Sequence, residues 1–380
     1  DAGVDPAGIT SGVVGNFAAG LFTRQLHLGA MLTGVDPKLR GIPTLHTEAA
    51  CASGGVAVLT AAQQIMAGLH ECVLVVGVEQ QKTMSPTDGA DVLGAAADYT
   101  EERARFGDFM FPKLFGRIAQ LYAERYGLTE RQLALVAVKN YAHARLNPCA
   151  QMRDRQLTLE QAMTESAENA RLAPPLKTCD CSQITDGSAA LLLCSERVAA
   201  RISKDRRVRL LGFGHTTDHL PLDRKDAPLF SIARSSAAKA YAMAGLSPRD
   251  IDAADVHDCF SISEILATEI IGFAEPGEGT GLIESGATML PAVREQLGIP
   301  TPSRSIPINP GGGLIGDGHP VGATGVRQVV EAYQHLTRRA GARQVAGTKR
   351  YLTFNMGGTV TTNVTMIWGN DAGAEAQSAR

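Results

Sequence analysis

The sequence predicts an α/β protein built from two copies of one folding unit, and three observations carry that reading. A short phrase recurs at a constant offset: Ala2, Gly3, Pro6, Ile9 and Val14 return as Ala244, Gly245, Pro248, Ile251 and Val256. Each copy then leads to a short motif that opens a helix, and each helix leads to an apolar strand. In the first half these are Cys51-Ala-Ser-Gly54 and the strand Cys72–Val78; in the second, His319-Pro-Val-Gly322-Ala-Thr-Gly325 and the strand Tyr351–Phe354. The chain has 380 residues, 44% of them hydrophobic, which is enough for sizeable cores in one large domain or two ordinary ones.

Taken in order, residues 1–9 read as a helix terminus and turn, followed by a strand through Val13, Val14 and Phe17. The run Ile42 to Thr47 reads as a strand. Val56 to Leu69 reads as a helix, because Val58, Ala61, Ala62, Ile65, Met66 and Leu69 fall at helical spacing. Residues from Ser85 to about Asp180 break the repeat. They hold a charged helix near Tyr99–Arg105, an amphipathic helix through Leu114, Ile118, Leu121 and Tyr122, a turn at Gly127 and a helix over Glu130–Arg145. A stretch this long is read as a helical insertion that covers a site and holds part of a ligand. Gly187–Cys194 reads as a buried strand closing the N-terminal half, residues 1–196.

The C-terminal half, residues 197–370, starts with a basic run, Arg201–Arg209, read as a solvated helix end. It continues with a strand over Val208–Phe213 and an alanine-rich helix over Ile232–Ala244. By the logic of the repeat, an equivalent strand and helix should precede Asp1. The expectation is that both are missing, which would leave a sheet edge and an apolar face uncovered. Residues 371–380 are polar and read as a disordered tail.

Net charge is −3, so composition points to neither a nucleic-acid face nor a membrane surface. No apolar segment reaches membrane-spanning length. Seven irregularly spaced cysteines argue against a disulfide framework and for a reducing, cytoplasmic compartment. Cys179-Asp-Cys181 has neither a second pair nor a histidine at ligand spacing, so no metal site is expected.

Cys51 lies between a strand and a helix. The helix's free N–H groups and dipole would favour its thiolate, which makes it a candidate nucleophile. A small buried residue capping a core helix fits the same position. Two histidine motifs occupy matched places in the second half: His257-Asp-Cys259-Phe after a strand, and Gly318-His319-Pro320 at the end of a glycine-dense loop, Asn309–Gly318. Packed strand-end or loop-ordering roles are the alternatives for these residues. Cys72, Cys149 and Cys194 are read as structural, and His46, His143, His215 and His219 stand outside any motif.

Together, Cys51-Ala-Ser, Asp186-Gly-Ser-Ala-Ala, His257-Asp-Cys-Phe, Gly318-His-Pro-Val-Gly-Ala-Thr-Gly and Asn355-Met-Gly-Gly resemble the thiolases, and within them the sterol-carrier-protein type. The resemblance implies a duplicated five-layer α-β-α-β-α thiolase fold. It implies ping-pong Claisen condensation or thiolytic cleavage of a 3-ketoacyl-CoA, with coenzyme A or acetyl-CoA as substrate and no bound cofactor. It casts Cys51 as the acylated nucleophile, His319 as its base and Cys259 as the second acid/base. His257 and His319 would donate to one oxyanion hole, and the N–H groups of Cys51 and Gly357 to the other. Many thiolases carry the second cysteine in a Cys-x-Gly motif where this chain has Asn355-Met-Gly357; here Cys259 takes that place. A homodimer or homotetramer is implied, and a small zinc-containing OB-fold partner is compatible with it. The rival readings are a retro-aldolase or condensing enzyme of related fold acting on a coenzyme A ester, and a non-catalytic subunit of a partner complex.

Overall fold

The computed structural model describes residues 3–370; the first two residues and the tail expected over 371–380 lie outside them. The strands are β1 (Ser11–Gly15), β2 (Thr44–Thr47), β3 (Cys72–Glu79), β4 (Arg171–Ala173), β5 (Leu176–Lys177), β6 (Gly187–Cys194), β7 (Arg209–Thr217), β8 (Ala253–Val256), β9 (Arg350–Gly357) and β10 (Thr362–Gly369). Two four-stranded sheets carry the architecture, ordered β2-β1-β3-β6 and β7-β10-β9-β8, and β4 and β5 form a small hairpin. In the first sheet β1 runs parallel to β2 and β3, while β6 is antiparallel to β3. In the second, β8 is parallel to β9 and β9 is antiparallel to β10. Ile308 bridges to Ala254 in parallel on the far side of β8, the place that β2 holds beside β1. The duplication read from the sequence is therefore a duplication of strand order.

Two helices, Ser53–Met66 and Thr324–Leu336, lie between the sheets and against each other. Val13, Val58, Ala61, Val73, Val75, Val326, Val329, Tyr351 and Val364 share the core they create. The helix Ser231–Ala244 covers the outer face of β7 and β10, and Leu28 and Leu32 pack on Val14 outside the first sheet. The layers run helix, sheet, helix, sheet, helix.

The central helices meet through glycine. A Cβ on Gly54 would lie 2.8 Å from the Gly322 carbonyl oxygen, and one on Gly325 would lie 2.1 Å from the Gly55 nitrogen. The strands receive the same helix ends: a Cβ on Gly15 would stand 2.8 Å from the Ser53 oxygen, and one on Gly77 2.7 Å from the Ala323 Cα. Backbone touches backbone on all sides, which no larger residue permits.

Within the insertion, the helix Met110–Tyr126 buries Leu114, Phe115, Ile118 and Tyr122 in a core shared with Phe260 and Ile262. The helix Glu130–Ala144 starts at a capping box of Thr129 and Gln132 and buries Lys139, Asn140 and His143 as well as its apolar residues.

Three readings are corrected. β6 is half-exposed along its length rather than buried, because β7 covers the outer edge of β10 whereas no described strand covers that of β6. The helix read from Val56 starts at Ser53, whose hydroxyl donates to the Ala50 carbonyl at 2.6 Å and accepts the Ala49 N–H at 2.9 Å. The glycine-dense loop contains a short helix, Gly313–Asp317. β10 and the helix Ser261–Ile270 escaped the sequence reading. That helix is buried on every side, Glu264 and Glu269 included, so it carries no amphipathic period.

Gly325→Ala should destabilise the protein by about 3 kcal/mol or more, the upper range for overpacking a tight core. Gly34→Ala, where an added Cβ meets nothing within 4 Å, should be nearly neutral. Urea unfolding of the two variants checks the difference.

Candidate active site

Cys51 sits in the turn that β2 makes before the Ser53 helix, next to Ala50, whose φ of +52° is left-handed. A non-glycine residue in that region costs energy and is characteristic of turns held for function. By exposed surface Cys51 is half-buried, with its sulfur close to the packed helix start. Burial pushes the thiol up to about 12, against the opposing pull of the Gly358 and Cys51 N–H groups. The expectation that the helix end favours the thiolate is thereby corrected, because desolvation of the sulfur outweighs the N–H groups around it. The resting group is a neutral thiol.

His319 is held by its backbone. Its N–H donates to Thr185 Oγ1 at 2.9 Å, its carbonyl accepts from Gln81 Nε2 at 2.8 Å, and it bridges to Ile184. Asp186 fixes Gln81 in turn by accepting the Gln81 N–H at 2.6 Å. The Asp186 motif thus reaches the site through His319. On the ring, Nδ1 lies 2.7 Å from Thr324 Oγ1, and that hydroxyl also donates to the Pro320 carbonyl at 3.2 Å. With its one proton so placed, the hydroxyl accepts from Nδ1–H, leaving Nε2 as a bare lone pair. Nε2 is buried and meets no hydrogen-bond partner. Burial, reinforced by the Arg327 cation, lowers this imidazole to about 3, so it rests neutral.

The His257 ring stands edge-on to that of His319, with centroids 5.0 Å apart. Its tautomer is set by Asn355. The Asn355 Oδ1 accepts the Gly55 N–H at 3.0 Å, while Nδ2 donates to the Cys51 carbonyl at 3.1 Å and faces His257 Nδ1 at 3.1 Å. Gly55 N–H can only donate and the Cys51 carbonyl can only accept, so the amide cannot be turned round. Nδ1 must accept, and Nε2 must carry the proton. The two histidines therefore present opposite faces: His257 an N–H, His319 a lone pair. Burial, then the nearness of His319 and Arg327, holds His257 well below the usual imidazole range.

Cys259 follows β8 in a loop clamped from several sides. Its carbonyl accepts the Ser182 N–H at 2.9 Å, and its neighbour Phe260 stacks on Phe115 with ring centroids 4.5 Å apart. Asp258 accepts the Leu314 N–H at 2.6 Å and an Asn140 amide proton at 2.7 Å, tying this loop to the glycine-dense loop and to the insertion. The Cys259 thiol is pushed well up by burial first and then by nearby Cys51, and it lies 3.7 Å from Ser263 Oγ. Gly357 backs the Cys51 turn, where a Cβ would stand 2.2 Å from the Ala49 oxygen.

The structure thus brings together Cys51, His257 and His319, with ligand-type atoms within 4.8 Å of one another. A cysteine and two histidines are donors that zinc accepts. Asn355, however, leaves the His257 proton on Nε2, so that nitrogen offers a hydrogen rather than the lone pair a metal would need. Cys179 and Cys181 turn their thiols to the carbonyls of Ala162 and Lys177 at 3.7 and 3.4 Å. Sequence reading missed three contributors: Thr324, the Gly358 N–H and the amide of Asn355. Asn355 and Gly358 belong to the Asn355-Met-Gly-Gly motif and Thr324 to the Gly318-His-Pro motif, both of which carry the resemblance, but the motifs alone assign none of the three a contact in the site.

Nitrogen-15 NMR of histidine-labelled protein should show His257 as the Nε2–H tautomer and His319 as the Nδ1–H tautomer. Neither should titrate from about pH 8 down to about pH 5, the interval in which an ordinary histidine gains its proton.

A family model described as the thiolase N-terminal domain matches residues 1–197, and one described as thiolase C-terminal domain-like matches residues 214–370. An acetyl-CoA acetyltransferase of Methanothermobacter thermautotrophicus is 38% identical, over 94% of this chain and 88% of its own length. Human sterol carrier protein 2 is 31% identical, over 84% of this chain and 57% of its own length. Among solved structures, the Ltp2-ChsH2(DUF35) aldolase matches with a TM-score of 0.77 at 22% identity, covering 97% of this chain and 89% of that one. The acetyl-CoA acetyltransferase of Syntrophomonas wolfei matches with a TM-score of 0.65 at 19% identity, covering 97% of this chain and 90% of that one. These last two establish likeness of fold. With both halves matched and a relative of such identity spanning nearly all of it, the chain belongs to the thiolase family.

Proposed function

We propose that this protein is an acyl-CoA C-acetyltransferase that cleaves a 3-ketoacyl-CoA by thiolysis, or runs the reverse Claisen condensation, through an acyl-Cys51 intermediate. The observation that carries this reading is the convergence of Cys51, His257 and His319, whose thiol and ring nitrogens come within 4.8 Å of one another, with Nε2 of His319 lacking a hydrogen-bond partner and Nδ1 of His257 facing the Asn355 amide. His319 takes the Cys51 proton as the sulfur attacks the substrate thioester. One thioester replaces another, so little free energy separates the two states. The thiol and imidazole rest neutral, so charge separation belongs to the approach of substrate.

Cys259 serves as the second acid/base, exchanging a proton with the substrate α-carbon. The His257 N–H and the protonated His319 stabilise one developing oxyanion. The N–H groups of Cys51 and Gly357 stabilise the other, and Gly358, whose N–H faces the Cys51 sulfur, supports the same side. Relatives named acetyl-CoA acetyltransferase, at 38% and 35% identity, favour this reading over the retro-aldolase and non-catalytic alternatives. We further place the protein in the cytoplasm as a homodimer or homotetramer, able to take a small zinc-containing OB-fold partner; its unpaired thiols suit such a compartment, and no described helix is long and apolar enough to cross a membrane.

Incubation with acetyl-CoA should leave an acetyl group on the peptide containing Cys51, found by mass spectrometry. Cys51→Ala should lose the adduct and at least about a thousandfold in thiolysis of acetoacetyl-CoA. A Cys51→Ala variant of full activity would overturn the reading.

Asn355→Asp puts an acceptor-only group against His257 Nδ1, which inverts the tautomer and strips the proton from Nε2. A kcat at least about 100-fold lower, with KM little changed, is expected from loss of one oxyanion donor. Steady-state kinetics together with the histidine NMR tautomer signature check it.

A further inference from the structure

Cys72 opens β3 and Cys194 closes β6, and in the antiparallel register of these strands they stand directly opposite each other. The type of opposition matters. One step further out, the Ser195 N–H donates to the Glu71 carbonyl at 2.9 Å, so Glu71 and Ser195 form a hydrogen-bonded pair. Pairs alternate along an antiparallel ladder, so Cys72 and Cys194 form a non-hydrogen-bonded pair. The Cys72 carbonyl accordingly turns the other way and accepts the Thr10 N–H at 2.8 Å. In such pairs the Cα atoms approach to about 4.5 Å and the side chains lie closest, within the span a disulfide bridges.

Both side chains point to the same outer face of the sheet, where they share an apolar cluster with Ile9, Leu39, Leu74 and Leu192. Cys72 is fully buried, whereas Cys194 is half-exposed at the strand end, and both are free thiols. This matches a dithiol in which one sulfur meets solvent and the other waits behind it. The proposed acyl-transfer chemistry uses neither.

We propose that Cys72 and Cys194 form a redox-active dithiol that closes to a disulfide across β3 and β6 when a small-molecule disulfide reaches Cys194. In the first step the Cys194 thiolate, its proton lost to solvent, attacks one sulfur of the oxidant and expels a small thiolate that takes up a proton. In the second, Cys72 loses its proton and attacks the Cys194 sulfur of the mixed disulfide, expelling the second small thiol. Two protein thiols are oxidised, one small disulfide is reduced to two thiols, and no other reactant is consumed. Burial raises both thiols, Cys72 to about 11, so thiolate is scarce and closure is slow at neutral pH.

The test is incubation of the whole protein in excess oxidised over reduced glutathione, followed by trapping of free thiols and non-reducing peptide mapping. A Cys72–Cys194-linked peptide, lighter by two hydrogens than the separate peptides and absent from Cys194→Ser, is expected. The linked wild-type protein should also resist urea better than its reduced form, since the link closes a long loop in the unfolded chain; Cys194→Ser should gain nothing from the same treatment. A glutathione that stays on Cys194 with Cys72 free would overturn the proposal. So would modification of the exposed Cys149 while Cys72 and Cys194 stay reduced.

Discussion

The structure depends on one close crossing, that of the two central helices at their N-termini. Gly54 and Gly55 of the first meet Gly325 of the second and Gly322 of the turn that leads into it backbone to backbone, and Gly15 and Gly77 let the first sheet come up beneath them. The crossing places the turn before one helix, with Cys51, beside the loop before the other, with His319. Asn355 then stitches the halves: one side-chain amide bonds Gly55 and Cys51 from the first and His257 from the second. A duplicated fold thus acquires a single composite site, because the two equivalent helix starts face each other rather than opposite ends of the molecule.

Electrostatically the site is kept neutral at rest. Its thiols are pushed up and its imidazoles down, in each case by burial first. The Arg327 cation, whose field reaches both histidines, lies 3.1 Å from Asp317 and 3.4 Å from Asp255, which anchor it on the Thr324 helix. Its field adds to the desolvation that holds both histidines unprotonated. A pocket without standing charge leaves its N–H donors and its one lone pair available for charge that arrives with a reaction, where preorganised dipoles act most strongly.

Behind the Cys259 loop lies a second polar layer. Lys139 pairs with Glu264 at 2.9 Å and donates to Asn140 Oδ1 and to the Ile308 carbonyl at 2.6 and 2.9 Å. Asn140 passes the network on to Asp258, and Asn309 donates to Glu264 at 2.9 Å. A buried ion pair adds little stability unless its remaining hydrogen bonds are met, and here they are met. What the layer secures is position: it joins the insertion, the His-Asp-Cys-Phe loop and the glycine-dense loop, three segments distant in sequence.

Much of this was legible in the sequence, because repeats, helix periods and glycine-rich motifs are local or compare like with like. The duplication, the insertion, most of the strands around the site and the matched places of the Cys51, His257 and His319 motifs came from the residues themselves, while the part given to Cys259 came from the resemblance those motifs carry. The sequence could not decide protonation. Cys51 at a helix start looks like a thiolate until the surrounding atoms are counted, since desolvation is a sum over neighbours brought by the whole chain. Nor could it decide which nitrogen of His257 holds the proton. That follows from an amide 98 residues away, whose orientation is itself fixed by Gly55 and Cys51. Pattern along the chain determined which groups are present; tertiary packing alone determined their charge, their tautomers and the faces they turn to one another.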